Sequence, residues 1–238
     1  MLQRFLTTFF GLFFPRFCCI CSRQGALLCS LCAVKVLESY PKTPKTIVLP
    51  HTGLKVFPNF YYNYEVEDLL LMGKEEGLYI LLQELGAWWC KYLQQEQNEL
   101  QQLIFNSTNS VLLVPIPLLK DKQKLRGYNQ VRQLLNGFCQ VARSPTLQVI
   151  NLLERGGKIT TQRGLGREER AQQVASKFVV EEDYFNTLSL AEKAILKTRP
   201  IILVDDVITT GSTLESAAIC LQQAGFTNVI AGMALLRA

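Results

Sequence analysis

The stretch Ile201–Thr213, IILVDDVITTGST, decides the fold. It begins with four apolar residues, Ile201–Val204, which are too few for a helix and rich in β-branched types, so they predict a buried strand. Two adjacent carboxylates, Asp205 and Asp206, come next, and a turn rich in hydroxyl groups, Thr209–Thr213, completes the stretch. The expected order is therefore a strand, an acid pair and a hydroxyl-rich loop.

A helix is expected directly after this loop. Ser212 and Glu215 have the S-x-x-E spacing of a capping box, which predicts the helix N-terminus, and Gly225 is a suitable stop. The amide N–H groups at a helix N-terminus favour an anion, and Gly211 lets the backbone approach it closely. A sugar phosphate suits this arrangement, because its phosphate fits the loop while its vicinal hydroxyls can donate hydrogen bonds to the two acids.

These residues resemble a known motif. VDDVITTGST is similar to the phosphoribosyl-pyrophosphate (PRPP) motif of type I phosphoribosyltransferases. The resemblance implies that Asp205 and Asp206 bind the ribose 2′ and 3′ hydroxyls and are the candidate catalytic residues. It also implies that the loop binds the 5′-phosphate through Thr209, Thr210, Gly211, Ser212 and Thr213.

Two other interpretations compete with a PRPP site. An apolar strand that ends in acids can hold magnesium in a nucleotide-hydrolysing site, but that site needs an upstream G-x-x-x-x-G-K-[ST] run. The sequence has no such run, so this class of protein is excluded. The other alternative is a core strand that ends in a solvated Asp-Asp turn.

Length and composition are typical of a globular protein. The chain has 238 residues, of which 48% are hydrophobic and 19% charged, which suffices for one domain and a small module. We expect an apolar segment, a cysteine module and a linker in residues 1–50, and a phosphoribosyltransferase-like domain in residues 51–238.

The N-terminus carries an apolar run, Phe5–Phe14, which is shorter than the roughly 20 residues that a membrane span needs. The run continues into Pro15-Arg16-Phe17 without the small-residue cleavage site of a signal peptide. We interpret it as a helix docked on its own protein, with membrane contact as the alternative. The expected protein is cytoplasmic and has no stable membrane insertion.

Strands that alternate with helices predict a parallel α/β sheet flanked by helices. Apolar runs predict further strands at Val111–Pro117, Leu147–Leu153 and Asn228–Leu236. Ligands of such sheets bind at the carboxyl ends of the strands, which is where Asp205 and Asp206 are expected.

A helical pattern runs from Val66 to Leu103, and we expect Gly73 and Gly77 to break it into two helices around Lys74. The preceding segment, Lys55–Tyr64, is aromatic and favours a strand. Core packing is its expected role, and stacking on nucleic-acid bases is the alternative.

Positive charge is concentrated between Lys120 and Arg170. This segment contains eleven Lys and Arg residues but only four acids, whereas the net charge of the whole chain is only +5. This excess predicts a polyanionic ligand, either pyrophosphate or nucleic acid, with a solvated basic surface as the alternative. The segment Lys120–Gln130 is expected to be a basic loop, in which Lys124 and Arg126 are candidates for neutralising pyrophosphate.

A second basic segment, Gly156–Arg170, is too rich in glycine to be regular. It predicts a mobile flap that closes over an anionic substrate. Gln162, Arg167 and Arg170 are its candidate contacts.

Two C-x-x-C pairs, Cys18 with Cys21 and Cys29 with Cys32, predict a structural zinc site with four thiolate ligands. Cys19 is a spare ligand with poorer spacing. Burial of these cysteines as small apolar residues is the alternative.

Further features resemble the ComF family, the competence-associated phosphoribosyltransferase-like proteins. The segment R-G-Y-N-Q, Arg126–Gln130, follows the predicted Val111–Pro117 strand, and the cysteine module lies N-terminal. A downstream segment of the form T-x-Q…R-x-x-R…V-x-x-x-F contains Thr160, Thr161, Gln162, Arg167, Arg170, Val174 and Phe178. One departure is Gln173, where the family usually has Asn.

Membership of this family would imply a zinc-ribbon-like module on a type I phosphoribosyltransferase fold. It would also imply uptake of single-stranded DNA with an ATP-driven, helicase-like partner. Two functions from different classes follow. The first is an enzyme that binds Mg²⁺ and PRPP and transfers phosphoribose to an acceptor. The second is a non-catalytic protein that senses PRPP or handles single-stranded DNA.

Overall fold

A computed structural model describes residues 15–38, 44–107, 110–156 and 177–238. The apolar run Phe5–Phe14 and the flap candidates Gln162, Arg167 and Arg170 lie outside these ranges. The described elements are α1 Ser30–Glu38, β1 Ile47–Val48, β2 Lys55–Tyr61, α2 Tyr64–Glu75, α3 Tyr79–Gln95, α4 Glu99–Phe105, β3 Val111–Pro115, α5 Lys120–Arg126, α6 Gln130–Ala142, β4 Leu147–Val149, β5 Leu153–Arg155, β6 Phe178–Val180, α7 Glu182–Thr187, α8 Leu190–Thr198, β7 Ile201–Ile208, α9 Ser212–Gln223 and β8 Val229–Arg237.

A six-stranded sheet in the order β1-β2-β8-β7-β3-β4 forms the centre of the molecule. The edge strand β1 pairs antiparallel with β2, and all other neighbours in this sheet are parallel. Strands β5 and β6 form a separate antiparallel pair. The α/β class with a mostly parallel sheet is confirmed, and the short β1 makes the sheet mixed.

Strand β7 lies inside the sheet because its apolar residues are buried on both faces. Ile202 and Val204 belong to one hydrophobic cluster, which also contains residues of α2, α3, α4 and α6. Ile201 and Leu203 belong to a second cluster, which contains residues of α8 and α9. Helices therefore cover both faces, as a central parallel strand requires.

The first cluster includes a close crossing of α3 and α6. A Cβ atom on Gly86 of α3 would lie 1.9 Å from the backbone oxygen of Leu134, and one on Gly137 of α6 would lie 1.8 Å from that of Gln83. The two backbones therefore touch at reciprocal glycines. Trp89 and Phe138 pack edge to face beside the crossing, with ring centroids 5.7 Å apart.

Three local predictions need correction. The helical region breaks at Gly77, which has a φ of +74°, whereas Gly73 lies inside α2, where a Cβ would meet Leu82 at 2.4 Å. The predicted basic loop is largely a helix, α5, and ends at Gly127 with a φ of +75°. The predicted strand Leu147–Leu153 is split between β4 and β5, which belong to different sheets.

Among the described residues, no helix is both long enough and apolar enough to cross a membrane. The aromatic segment forms β2, in which Phe57 and Phe60 are buried, so this part packs in the core as expected. The ring centroids of Phe60 and Tyr92 are 4.5 Å apart. Tyr61, Tyr62 and Tyr64 are exposed.

We predict that Gly137→Ala destabilises the protein. An unhindered Gly to Ala change in a helix stabilises by roughly 0.5–1 kcal/mol, whereas overpacking costs about 1–3 kcal/mol. The contact with the Gln83 backbone should make the second effect larger. Urea unfolding measures the difference, and Gln140→Ala, at an exposed position of the same helix, is the control. A more stable Gly137→Ala variant would contradict the close crossing.

Candidate functional site

The acid pair forms part of β7 instead of following a four-residue strand. Asp205 pairs in register with Ala234 of β8, and the strand continues to Ile208. Adjacent residues of a strand point to opposite faces, so the two side chains leave the strand on opposite sides, but their carboxylates stay close enough to interact. Asp206 shares the face of Val204, towards α2 and α6, and Asp205 shares the face of Leu203.

Asp206 is buried, with 6% of its surface exposed, and is held by three donors. Lys74 Nζ lies 2.7 Å from Asp206 Oδ2. Gln130 Nε2 donates to the same oxygen at 3.1 Å, and the amide of Val207 donates to Oδ1 at 2.7 Å. Burial alone would raise the pKa of Asp206, but the Lys74 ammonium and these hydrogen bonds lower it below its ordinary value.

A ring of polar contacts connects the Asp206 carboxylate to the end of α2. Gln130 Oε1 accepts a hydrogen bond of 3.4 Å from Arg126, and Arg126 forms an ion pair with Glu75. Glu75 follows Lys74 in the chain, so the ring closes through Asp206. The candidate cation Arg126 is therefore held by Glu75, and Lys124 lies exposed on α5.

The segment Arg126–Gln130 makes further contacts with the elements around the acid pair. Tyr128 donates its hydroxyl hydrogen to the carbonyl of Gly73, again at the end of α2. Asn129 caps α6, where its side chain accepts from the amide of Arg132, and it donates to the carbonyl of Ile116 at 2.9 Å. The segment therefore joins α2, β3 and α6 around the acid pair.

Asp205 has a different environment. It is half-buried, and its Oδ1 accepts a hydrogen bond of 2.9 Å from the amide of Asp206. Burial and the neighbouring Asp206 charge raise the pKa of Asp205 well above its ordinary value, although the Arg155 guanidinium opposes the shift. The pair therefore combines one carboxylate that favours ionisation with one that resists it.

The loop after β7 has the expected exposure but a different cap. Thr209, Thr210 and Ser212 are exposed, and Gly211 is the N-cap residue of α9, with a φ of +82°. A Cβ at this position would lie 2.5 Å from Leu49 Cδ2. Glycine is therefore required both by the positive φ and by the lack of space for a side chain.

The predicted capping box is wrong, because Ser212 is the first residue of the helix and makes no cap hydrogen bond. Glu215 is buried and accepts the backbone N–H of His51 at 2.7 Å. The predicted stop is correct in position, since α9 ends just before Gly225, which has a φ of +86°. The carboxylate that was expected to cap the helix instead anchors the turn after β1.

A cavity of about 710 Å³ opens at the carboxyl ends of β3 and β4. Its wall includes Asn129, Arg132 and Arg155. Arg155 donates through Nε to the carbonyl of Pro117 at 3.0 Å and lies over the ring of Phe178, 4.5 Å from its centroid. The Asp205 carboxylate acts on the pKa of Arg155 and opposes the lowering caused by burial, whereas neither Asp205 nor Asp206 belongs to the cavity wall.

The cavity also adjoins the ends of the predicted flap segment. Gly156 donates its amide hydrogen to the carbonyl of Lys177 at 3.0 Å, next to the β5–β6 pair. The described residues on the two sides of positions 157–176 are therefore hydrogen-bonded to each other, and most of the predicted flap, Gly156–Arg170, lies outside the described residues.

The four predicted zinc ligands lie together. The Sγ atoms of Cys18, Cys21, Cys29 and Cys32 are all within 4.8 Å of one another, and those of Cys21 and Cys29 are 3.6 Å apart. A tetrahedral zinc with bonds of about 2.3 Å would place its sulfur ligands roughly 3.8 Å apart. The four thiols can hold a metal ion, and both their chemistry and their spacing fit zinc. Cys19 is not a member of this group.

The cysteine cluster is anchored on α3. Glu84 of α3 accepts the backbone N–H of Leu28 at 2.7 Å, and Arg16 lies 3.6 Å from the same carboxylate. Leu28, Ala33 and other residues of this region belong to the hydrophobic cluster of α2 and α3. The cysteine cluster is therefore packed against the helices that cover the central sheet.

These features define an α/β protein with an acid pair on a central strand and a four-cysteine cluster near its N-terminus. No protein-family model matches the chain. Competence protein F of Haemophilus influenzae is 35% identical over 118 residues, which cover 49% of this chain and 46% of that protein.

Two further relatives are both named Competence protein ComFC. The one from Bacillus subtilis is 28% identical over 126 residues, 53% of this chain and 44% of that protein. The one from Streptococcus pneumoniae is 27% identical over 172 residues, 71% of this chain and 63% of that protein. The matches thus span about half to two thirds of each relative's length. Together, the three similarities support membership of the ComF family.

We predict that Cys21→Ser abolishes zinc binding and that Cys19→Ser preserves one zinc per chain. Loss of a structural zinc removes binding energy that stabilises the fold, so Cys21→Ser should also lower Tm by roughly 10 °C or more. Metal analysis of purified protein and thermal unfolding measure both effects. Retention of zinc in Cys21→Ser together with its loss in Cys19→Ser would reassign the ligands.

Proposed function

We propose that this protein binds PRPP with Mg²⁺ on a type I phosphoribosyltransferase fold and transfers phosphoribose to an acceptor. The observation that carries the proposal is the order along β7 and α9. The acid pair lies on the central strand, and the loop that follows reaches a helix N-terminus through Gly211 in the left-handed conformation.

The loop supports phosphate binding. The amide N–H groups of the first turn of α9 lack intrahelical partners, and the helix dipole favours an anion there. The hydroxyls of Thr209, Thr210 and Ser212 are on exposed residues, where they can donate to phosphate oxygens. Gly211 is buried against Leu49, and its left-handed conformation leads the chain into the helix N-terminus. This set of donors suits the 5′-phosphate.

The acid pair supports recognition of the ribose. With the 5′-phosphate in the loop, the ribose hydroxyls would lie against Asp205 and Asp206. Asp206 is ionised by its partners and accepts hydrogen bonds, whereas the raised pKa of Asp205 reduces repulsion between the two acids. We expect Mg²⁺ to enter with the diphosphate and neutralise its charge as pyrophosphate leaves.

The cavity supports a transfer reaction. Its wall includes Arg155, whose charge acts on Asp205, and its volume of about 710 Å³ can admit an acceptor. Arg126 and Lys124 remain the candidate cations for pyrophosphate. The oxocarbenium-like centre formed during transfer would be stabilised by positioning and electrostatics.

The relatives support a role in competence, since all three are named competence proteins. We propose that the phosphoribosyltransferase-like site serves this process, in which the protein would handle single-stranded DNA together with a helicase-like ATPase in the cytoplasm. The exposed lysines of α5, Lys122 and Lys124, offer a basic surface for such a strand.

We predict that wild-type protein binds Mg·PRPP saturably and that Asp205→Asn combined with Asp206→Asn weakens binding at least about 100-fold. A hydrogen bond to the charged Asp206 contributes about 1.5–3 kcal/mol, and the loss of the contact with Asp205 adds to this, so the combined effect should be large. Calorimetric titration measures the affinities. The matched control, Glu65→Gln with Asp68→Asn, removes two exposed acids of α2 and should bind normally.

The same titration can contradict the proposal. Absence of binding to folded, zinc-loaded wild type would reject a PRPP site. Equal binding by the acid-pair variant would place the ligand elsewhere. If Mg·PRPP binds but no acceptor releases pyrophosphate, the non-catalytic alternative would replace the transferase.

A further inference from the structure

We infer that Lys74 is a ligand-binding cation that forms an ion pair with Asp206 until the ligand binds. When the ribose hydroxyls bind to Asp206, the ammonium group leaves this carboxylate and binds the diphosphate on C1 of the same ligand. The inference rests on the proposed function, because it concerns how the acid pair exchanges partners when PRPP arrives.

The first step of the argument is that Asp206 is already occupied. Its Oδ2 contacts both Lys74 and Gln130, and its Oδ1 accepts from Val207. A carboxylate oxygen has two lone pairs, so Oδ2 is saturated and Oδ1 has one acceptor site left. A pair of ribose hydroxyls can therefore be received fully only if a present donor leaves.

The second step identifies the donor that can leave. The Val207 amide belongs to the backbone of the central strand. Gln130 is buried as the first residue of α6 and is held from the other side by Arg126. Lys74 carries its charge on a flexible four-carbon stem, and 17% of its side-chain surface is exposed. The ammonium of Lys74 is the donor with freedom to turn.

The third step is that only this side chain needs to move. The carbonyl of Gly73 accepts from Tyr128, and Glu75 is paired with Arg126. The residues on both sides of Lys74 are therefore tied to the segment that surrounds the acid pair. These contacts fix the backbone at the end of α2 while the lysine stem rotates.

The fourth step concerns the destination of the charge. A largely buried ammonium that loses its carboxylate needs another anion, because an unpaired buried charge is costly. In PRPP the diphosphate is attached to C1, next to the C2 hydroxyl. A ligand that places its hydroxyls on Asp206 therefore brings an anion within reach of the displaced ammonium.

The test compares two ligands with wild type and Lys74→Met. PRPP carries the diphosphate, whereas ribose 5-phosphate has the same 5′-phosphate and hydroxyls without it. We predict that Lys74→Met weakens Mg·PRPP binding at least 10-fold in calorimetric titration. Binding of ribose 5-phosphate should be unchanged or tighter, because the competing ammonium is gone. Lys74→Arg should largely restore PRPP affinity, and Lys91→Met, at an exposed lysine of α3, should match wild type.

Each other outcome rejects the inference in a recognisable way. Equal weakening of both ligands, also in the milder variant Lys74→Gln, would show that Lys74 only maintains the structure of the acid pair. Unchanged PRPP affinity would show that the ammonium does not reach the diphosphate. If wild type binds neither ligand, the proposed function itself fails, and that result does not depend on the variants.

Discussion

The ion pair between Lys74 and Asp206 is the interaction on which the arrangement of the site depends. Its nitrogen and oxygen are 2.7 Å apart, and both side chains are largely buried. Such a pair is costly to desolvate, so it persists only with further hydrogen bonds, and Gln130 and Val207 supply them. One carboxylate thereby joins the end of α2, the start of α6 and the central strand β7.

The cysteine cluster connects to the same framework through packing. Glu84 of α3 accepts a hydrogen bond from the backbone N–H of Leu28, which lies next to Cys29 of the cluster. Helix α3 in turn crosses α6 at Gly86 and Gly137. The first residue of α6 is Gln130, which holds Asp206. A metal-bound cluster would therefore rigidify α3, and α3 in turn positions the helix that orients the acid pair. A metal bound there would have a structural role without contact with the acid pair.

Local sequence patterns predicted the parts of this structure that depend on neighbours in the chain. The buried strand, the loop with Gly211, the following helix and the cysteine spacing are all such patterns. The capping box failed because the left-handed Gly211 starts α9 and because Glu215 finds a distant partner, the amide of His51. The loop expected at Lys120–Gln130 failed since its lysines and glutamine also suit a helix, which Gly127 then ends.

The partners of the acid pair could not be predicted in this way. Lys74 was expected in a break between helices, and nothing near it in the chain indicates Asp206. Arg155 appeared only as one of many basic residues, and its place beside Asp205 depends on the pairing of β5 with β6. Contacts between distant segments are set by the packing of α2 and α6 on the sheet, which sequence spacing alone does not encode.

A crystal structure of the protein with Mg·PRPP would test the central claim most directly. The account predicts the 5′-phosphate in the loop Thr209–Thr213 and the ribose hydroxyls within hydrogen-bond distance of Asp205 and Asp206. Lys74 should have turned from Asp206 to the diphosphate. A ligand bound away from β7, or one bound there with the Lys74–Asp206 contact intact and the diphosphate out of reach of Lys74, would contradict it.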